Sequence, residues 1–230
     1  MSDSHSATRK KVVILGSTGS IGTSALKVAR EIPERMEVVG LAAGRRTEEL
    51  VVQAREFGVK HLAIADESLT DQLAESAPEG CVLHAGAEGL RELARLPEAD
   101  MVLIAIVGTE GLQPALDAIE AGKDLAVASK EILVMAGELV MKAAKEAGVK
   151  VLPIDSEHNA IFQCLPDGYT RSMTAHGVEK ILLTASGGPF LHRDVNTLDQ
   201  VTVEEAVAHP KWVMGRKISV DSATMMNKGL

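Results

Sequence analysis

Residues 101–107 read MVLIAIV, an apolar run in which polar and apolar positions do not alternate. A strand with one face in water alternates, whereas an uninterrupted run is typical of a parallel strand covered by helices on both faces. On both sides of this run, short apolar segments alternate with segments of helical spacing. This feature restricts the chain to an α/β fold built on a parallel sheet.

The alternation of strands and helices extends from residue 11 to residue 155. Buried strands are expected at residues 11–15, 37–43, 61–65, 81–84, 101–107, 124–128 and 149–154. Helices are expected at residues 21–32, 47–57, 88–96, 112–121 and 131–147, with one more ending near residue 77. Thr47 is expected to cap the second helix, and Gly58 and Gly148 to end the second and the last.

This order predicts a doubly wound, Rossmann-like parallel sheet over residues 11–155. Residues 156–230 are interpreted as the incomplete start of an α+β catalytic domain, with a strand at residues 179–185. Residues 1–10 are polar and are expected to form a disordered tail.

Composition excludes several classes of partner. With 46% apolar residues in 230, the chain can form one large core or two smaller ones. The net charge of −8 and the 2% of aromatic residues argue against nucleic acid and anionic membranes as partners. No apolar run approaches the roughly 20 residues of a membrane span. Cys81 and Cys164 stand in no ligand pattern and are expected to be reduced thiols of a cytoplasmic protein.

A glycine motif follows the first predicted strand and opens the first helix. Gly16, Gly19 and Gly22 have the spacing G-x-x-G-x-x-G. In this position Gly16 allows a tight turn, Gly19 lets a pyrophosphate approach the backbone, and Gly22 lets the helix pack against the strand. The triplet alone is a weak signal, but its strand–turn–helix context favours a dinucleotide site over a merely tight turn.

The end of the second strand indicates which dinucleotide is bound. An NAD site places Asp or Glu there for the ribose hydroxyls. This chain has Gly44, Arg45 and Arg46 instead. Two guanidinium groups suit a 2′-phosphate, so NADP(H) is preferred to NAD(H), although a solvated basic pair is the alternative.

Asp155 and Glu157 lie two residues apart where a predicted strand ends. Carboxylates at the carboxyl end of such a strand lie where α/β sheets bind ligands. Two oxygen donors suit Mg²⁺ or Mn²⁺ better than zinc. Alternatively, Asp155 or Ser156 caps the next helix and Glu157 interacts with its positive end, and these residues alone favour the cap.

Three further residues have an ordinary and a functional interpretation. Lys130 follows a strand and suits a substrate hydroxyl or carbonyl, but spacing alone favours Ser129 as a helix cap with Glu131 in the first turn. Similarly, Trp212 is taken alone as a packing anchor, and His209 as a solvated loop residue.

The motifs taken together resemble those of one enzyme family. They occupy residues 16–22, 128–131, 153–163, 186–190, 209–212 and 214–230, in this order. The set closely resembles the 1-deoxy-D-xylulose 5-phosphate reductoisomerases of the non-mevalonate isoprenoid pathway. The resemblance runs from about residue 11 to residue 230. It implies conversion of 1-deoxy-D-xylulose 5-phosphate to 2-C-methyl-D-erythritol 4-phosphate with NADPH and Mn²⁺ or Mg²⁺, in a homodimeric bacterial cytoplasmic enzyme.

The resemblance also implies roles for individual residues. Asp155 and Glu157 would be metal ligands. Those that would contact substrate are Lys130, Ser156, Glu157, Ser186, His209, Ser222, Asn227 and Lys228, with Trp212 on a lid loop at about residues 187–216. Those that would line the coenzyme site are Gly16, Thr18, Gly19, Ser20, Ile21, Gly44, Arg45, Arg46, Ser129, Glu131 and Gly215.

Two departures from the family pattern concern this site. The family commonly has Asn where this chain has Ser129, which lacks an amide donor. The family also continues after the position of Leu230 with a Glu that completes the metal site, so this chain is expected to be inactive alone. The alternatives are a non-catalytic NADP-binding module and another NADP-dependent oxidoreductase.

Overall fold

The computed structural model describes residues 9–166, 168–169 and 172–229. The chain divides into two compact units, Met1–Leu152 and Pro153–Leu230. None of the described helices is both long enough and apolar enough to cross a bilayer.

The first unit is built on a seven-stranded sheet, whose last strand runs one residue past the unit boundary. The strands are β1 (Lys10–Leu15), β2 (Met36–Ala43), β3 (His61–Ile64), β4 (Val82–Ala85), β5 (Met101–Ile104), β6 (Asp124–Val127) and β7 (Val151–Pro153). Their order is β4-β3-β2-β1-β5-β6-β7. The pairings from β4 through β6 are parallel. The order reverses between β1 and β5, and ligands of such sheets bind where the order reverses.

Six helices connect these strands. They are α1 (Ser20–Glu31), α2 (Thr47–Phe57), α3 (Thr70–Ser76), α4 (Gly86–Ala94), α5 (Leu112–Glu120) and α6 (Glu131–Ala147). The main core joins the centre of the sheet to α4, α5 and α6, with Val13, Val102 and Leu125 fully buried. The predicted doubly wound α/β fold of this unit is confirmed.

Four helices lie among the described residues of the second unit. They are α7 (Ser156–Cys164), α8 (Val203–Val207), α9 (Arg216–Ala223) and α10 (Met226–Gly229). The remaining described residues form 3₁₀ turns and irregular segments. Thr202 and Glu205 form a capping box at the start of α8, where each side chain accepts from the other residue's backbone N–H.

Several sequence-based boundaries were wrong. The central strand ends at Ile104 rather than at residue 107. Residues 179–185 are not a strand, and no described segment pairs with them, so their backbone lacks the ladder that defines one. The predicted tail falls on residues 1–8, outside the described residues, and on residues 9–10, of which Lys10 already belongs to β1.

The predicted cap of α2 is also wrong. Arg46, not Thr47, occupies the N-cap position of α2, and Thr47 is the first helical residue and is buried. Gly58 and Gly148 end α2 and α6 as predicted, with φ of 65° and 71°. Glycine adopts this left-handed conformation without a steric penalty, which explains both stops.

Candidate active site

The glycine loop between β1 and α1 is held close to neighbouring backbone. Gly16 has a φ of +96°, and a Cβ there would lie 2.5 Å from the carbonyl oxygen of Ala105. A Cβ on Gly22 would lie 2.5 Å from Ser17 Cα. Gly19 is the N-cap of α1, whose first turn carries no acidic side chain. The free N–H groups of that turn therefore face no competing carboxylate and suit an anion such as a pyrophosphate.

The two arginines after β2 make different contacts. Arg46 Nη1 donates to the Thr18 carbonyl oxygen at 2.7 Å and to Glu49 Oε2 at 3.0 Å. Arg45 Nη1 lies 2.5 Å from Asp66 Oδ2. The Arg46 side chain thus contacts the glycine loop, whereas the Arg45 side chain contacts Asp66, which follows β3.

Asp66 is fixed independently of Arg45. Its Oδ1 accepts from Ser68 Oγ at 2.6 Å and from Ser68 N at 3.0 Å. The Ser68 hydroxyl, then the Ser68 N–H and the Arg45 charge, lower the pKa of Asp66. Asp66 is therefore ionised at neutral pH and attracts the Arg45 guanidinium.

Ser129 does not cap α6. Its hydroxyl donates to the carbonyl oxygen of Ile106 and lies 3.2 Å from that of Gly108. Lys130 is the N-cap of α6 and Glu131 its first residue. Ser129 is buried. Its hydrogen bond to Ile106 links the segment after β6 to the segment after β5.

The two candidate metal ligands lie at the start of α7. Asp155 occupies the N-cap position without a side-chain capping bond. Glu157 Oε2 lies 2.8 Å from Lys228 Nζ, and these side chains are 19% and 11% exposed. Burial raises the pKa of Glu157, but the hydrogen bond from the Lys228 ammonium, the N–H of Glu157 itself and the Lys228 charge outweigh it and lower the pKa. Glu157 is therefore an ionised, largely buried carboxylate that already attracts a cation.

The described residues do not by themselves form a complete set of metal ligands. No group of three or more His, Cys, Asp or Glu side chains in them is placed to hold a metal ion. His158 Nδ1 lies 3.8 Å from Asp155 Oδ1, too far for a hydrogen bond. Two carboxylates, Asp155 and Glu157, are what this part of the chain offers to a hard cation.

Three polar side chains converge elsewhere in the second unit. Ser186 Oγ lies 3.0 Å from His209 Nε2 and 3.2 Å from Ser222 Oγ. Gly188 N lies 3.4 Å from the same Ser186 oxygen, and a Cβ on Gly188 would be 2.7 Å from the Ser222 carbonyl oxygen. Glycine at this position therefore lets the loop approach α9 closely enough to bring the hydroxyls together.

The contacts of His209 define its tautomer. Nδ1 accepts from the backbone N–H groups of Lys211 and Trp212, both at 3.2 Å. Nδ1 therefore carries no proton, and Nε2 donates to Ser186 Oγ. The Trp212 indole stacks on the imidazole with ring centroids 4.8 Å apart. This cluster presents hydroxyl and imidazole donors that suit phosphate oxygens.

A cleft of about 570 Å³ adjoins this cluster. Besides Ser186 and Gly188 it is lined by Arg193 and Lys211, so it has a cationic wall. Arg193 is anchored by Glu205 Oε1 at 2.7 Å. A cleft of this size with basic side chains in its lining can accept a small anionic ligand.

The remaining predicted residues occupy defined positions. Ser20 and Ile21 are the first two residues of α1, and Ser156 is the first of α7. Gly215 is the N-cap of α9, and Asn227 lies in α10 with its Oδ1 buried and without a hydrogen-bond partner among the described residues. The Gly44 carbonyl oxygen accepts from Asp66 N at 3.1 Å.

Sequence comparison assigns this arrangement to a family. The family model described as 1-deoxy-D-xylulose 5-phosphate reductoisomerase matches residues 12–137, more than half of the chain. The model of that family's C-terminal domain matches residues 151–230.

The chain belongs to the 1-deoxy-D-xylulose 5-phosphate reductoisomerase family.

Relatives and solved structures agree with this membership. The reductoisomerases of Janthinobacterium sp. (strain Marseille) and Methylococcus capsulatus are 53% and 52% identical to the chain over 225 residues. In each case 96% of this chain and 57% of the relative are covered, so the chain spans little more than half of their length.

Solved reductoisomerases share the fold. A crystal structure of the enzyme with NADPH, fosmidomycin and magnesium is 44% identical, with a TM-score of 0.89 over 96% of this chain and 56% of that one. The Zymomonas mobilis enzyme in complex with NADPH is 44% identical, with a TM-score of 0.81 over the same shares.

Sequence reasoning missed two residues that contact the glycine loop or Arg45. Gln53 Nε2 in α2 donates to the Ser17 carbonyl oxygen at 3.2 Å, and Asp66 positions Arg45. The position of Asp66, just after β3, was a usable signal because polar residues there reach the binding edge of the sheet. Gln53 lies within a helix pattern and carried no comparable signal.

Proposed function

We propose that this protein converts 1-deoxy-D-xylulose 5-phosphate to 2-C-methyl-D-erythritol 4-phosphate with NADPH and Mg²⁺ or Mn²⁺. The observation that supports this most is the convergence of Ser186, His209 and Ser222 beside a cationic cleft, in a chain of the reductoisomerase family. The first unit supplies a glycine loop with a helix N-terminus suited to a dinucleotide.

The residues fit the two groups that this chemistry needs. Asp155 and Glu157 would hold the metal ion, since both side chains are less than 20% exposed and Glu157 already attracts the Lys228 ammonium. When bound, the metal supplies Lewis acidity to the carbonyl and hydroxyl oxygens of the ketose, and NADPH supplies the hydride.

The side chains of the second unit bind and orient the substrate. Ser186, Ser222, Asn227 and Lys228 would hold its phosphate, with His209 Nε2–H as a further donor. Ser156 would contact the substrate near the metal, and Trp212, on the loop at residues 187–216, would exclude water. As the family resemblance implies, Lys130 would contact the substrate, and Ser129, Glu131 and Gly215 would contact NADPH.

Oligomeric state and location are part of the same proposal. We expect a homodimer in the bacterial cytoplasm, as the family resemblance implies. The two cysteines, Cys81 and Cys164, are free thiols, which suits a reducing compartment. Sedimentation equilibrium would return twice the protomer mass for a dimer, and a single protomer mass would contradict it.

A direct spectrophotometric assay tests the activity. NADPH oxidation is followed with 1-deoxy-D-xylulose 5-phosphate and Mn²⁺, using the 230-residue chain and a longer protein that contains it. We expect turnover by the longer protein, and Ser186→Ala should raise its KM about tenfold because one phosphate donor is lost. Ser172→Ala is the matched control, since that hydroxyl accepts from Ala175 N near the start of a 3₁₀ turn and is not part of the Ser186 cluster.

The assay also separates the alternatives. If the longer protein binds NADPH but shows no turnover, it is a coenzyme-binding module and not a reductoisomerase. Turnover by the 230-residue chain would contradict the prediction that a third carboxylate, after Leu230, is needed.

A further inference from the structure

Arg45 and Arg46 are adjacent in sequence but make contacts of different kinds. Arg46 Nη1 donates to a backbone carbonyl, that of Thr18, while Glu49 neutralises its charge. Arg45 contacts the carboxylate of Asp66, and its side chain is 76% exposed. An exposed ion pair is weak, so Arg45 can turn toward an incoming dianion, whereas Arg46 would have to give up the Thr18 bond.

A second side chain holds the same loop. Gln53, two turns into α2, donates from Nε2 to the Ser17 carbonyl oxygen at 3.2 Å. Two successive carbonyls of the glycine loop, those of Ser17 and Thr18, are therefore held from the α2 side. Because the peptide unit is planar, fixing a carbonyl also fixes the following N–H, which points the opposite way.

We propose that Arg46 and Gln53 are positioning residues that clamp the glycine loop, and that Arg45 alone recognises the 2′-phosphate. The inference rests on the proposed use of NADPH. The two guanidinium groups therefore have different roles. Arg46 fixes the loop that receives the pyrophosphate of any nicotinamide dinucleotide, and Arg45 distinguishes NADPH from NADH.

The burial of Thr47 at the start of α2 supports the clamp. A helix whose first residues pack inward is fixed relative to the sheet. Arg46, at the N-cap, and Gln53 thereby reach the loop from a rigid element. Positioning through a rigid helix is more precise than positioning through a free loop.

Coenzyme titration and hydrogen exchange together test the inference. The variants are Arg45→Ala, Arg46→Ala and Gln53→Ala, with Arg55→Ala as the matched control. Arg55 lies on the same helix but donates to the Ser76 carbonyl oxygen. The Kd for NADPH and for NADH is measured for each variant, and amide exchange of residues 16–20 is measured without coenzyme.

Each variant has its own expected signature. Arg46→Ala and Gln53→Ala should raise both Kd values by the same factor, about tenfold for Arg46, and speed exchange in the loop. Arg45→Ala should raise the Kd for NADPH about tenfold or more and leave the Kd for NADH and the loop exchange unchanged. Arg55→Ala should change none of these quantities.

Two results would overturn the inference. One is an NADPH-selective loss in Arg46→Ala as large as in Arg45→Ala, because Arg46 would then read the phosphate. The other is unchanged loop exchange in both Arg46→Ala and Gln53→Ala. If the unaltered protein binds neither coenzyme, the proposed function and the role of Arg45 fail, whereas hydrogen exchange still decides the clamp.

Discussion

At the scale of single residues, Asp117 shows how a buried charge is tolerated in the first unit. Its side chain is 5% exposed, and Arg91 Nε donates to Oδ2 at 2.6 Å. Burial raises the pKa of Asp117, but hydrogen bonds from Arg91 and Gln113 and the charges of Arg95 and Arg91 lower it below its ordinary value. The Asp117 carboxylate, in α5, is thus stabilised by the Arg91 guanidinium of the neighbouring helix α4.

Stability should therefore depend on pH at the acidic end. Because the pKa of Asp117 is lower in the folded than in the unfolded state, its contribution is fully present above about pH 4 and is lost as pH falls through the folded pKa. Asp117→Asn should lower the free energy of unfolding by about 3 kcal/mol at neutral pH and flatten this acid dependence.

Urea unfolding from neutral to acidic pH measures both effects of that substitution. Asp71→Asn, an exposed carboxylate in the first turn of α3, is the control and should cost less than about 1 kcal/mol. An acid dependence that survives unchanged in Asp117→Asn would contradict the assignment to this residue.

Gly16 is a residue whose backbone permits no side chain. Its φ of +96° and the 2.5 Å from a Cβ to the Ala105 carbonyl oxygen predict that Gly16→Ala lowers the free energy of unfolding by about 3 kcal/mol. Gly44→Ala is the control for unfolding, because nothing lies within 4 Å of its Cβ and its φ is ordinary. Equal losses in the two variants, measured by thermal unfolding, would refute the steric argument.

The same residue scale shows what sequence alone can predict of a site. The need for glycine at Gly16 arises from local backbone geometry, so the motif spacing revealed it. The bond from Arg46 to Thr18 joins residues 28 apart, and no local pattern contains it. Motif spacing can therefore nominate residues for a candidate site, whereas the partner of each residue depends on tertiary packing.

At the scale of elements, α6 combines two glycines of opposite effect. Gly148 ends the helix with a φ of +71°, whereas Gly137 lies within it and has room for a Cβ, the nearest atom being Leu133 Cβ at 3.9 Å. The helix is also kinked at Ala136, where φ is −141°.

These two glycines predict substitutions of opposite sign. Gly148→Ala should destabilise the first unit by about 1 kcal/mol, because alanine is strained in the left-handed conformation. Gly137→Ala should stabilise it by up to about 1 kcal/mol through helix propensity. Thermal unfolding of both variants is the measurement, and a change of the same sign in both would contradict the prediction.

Element ends were harder to predict than element types. The strand ends before the apolar run at residues 101–107 does, and the Ile106 carbonyl accepts from Ser129 instead of pairing in the sheet. Residues 179–185 have strand-like composition, yet Leu182 is 70% exposed and no described segment pairs with this stretch. A strand requires a partner, which local composition does not specify.

At the scale of the whole molecule, the two units differ in how much apolar surface they bury. Among the described residues, every buried hydrophobic side chain lies at or before Ala144. In the second unit, Leu191, Val203 and Val213 are more than half exposed. A compact unit without a buried apolar core has little to offset the entropy lost on ordering.

The units should therefore behave differently when expressed separately. A fragment ending at Leu152 should unfold in one cooperative transition, because the core cluster lies entirely within it. A fragment beginning at Pro153 should give a shallow, non-cooperative thermal transition by circular dichroism. A sharp transition in the second fragment would show that its stability does not depend on buried apolar area.

The stacking of Trp212 on His209 has a practical consequence for following the molecule in solution. The chain contains a single tryptophan, and its indole is 57% exposed beside the Ser186 cluster. Selective excitation therefore reports from one position, with no second indole to subtract. The tryptophan emission of the unaltered protein should therefore report the binding and release of ligands near the Ser186 cluster.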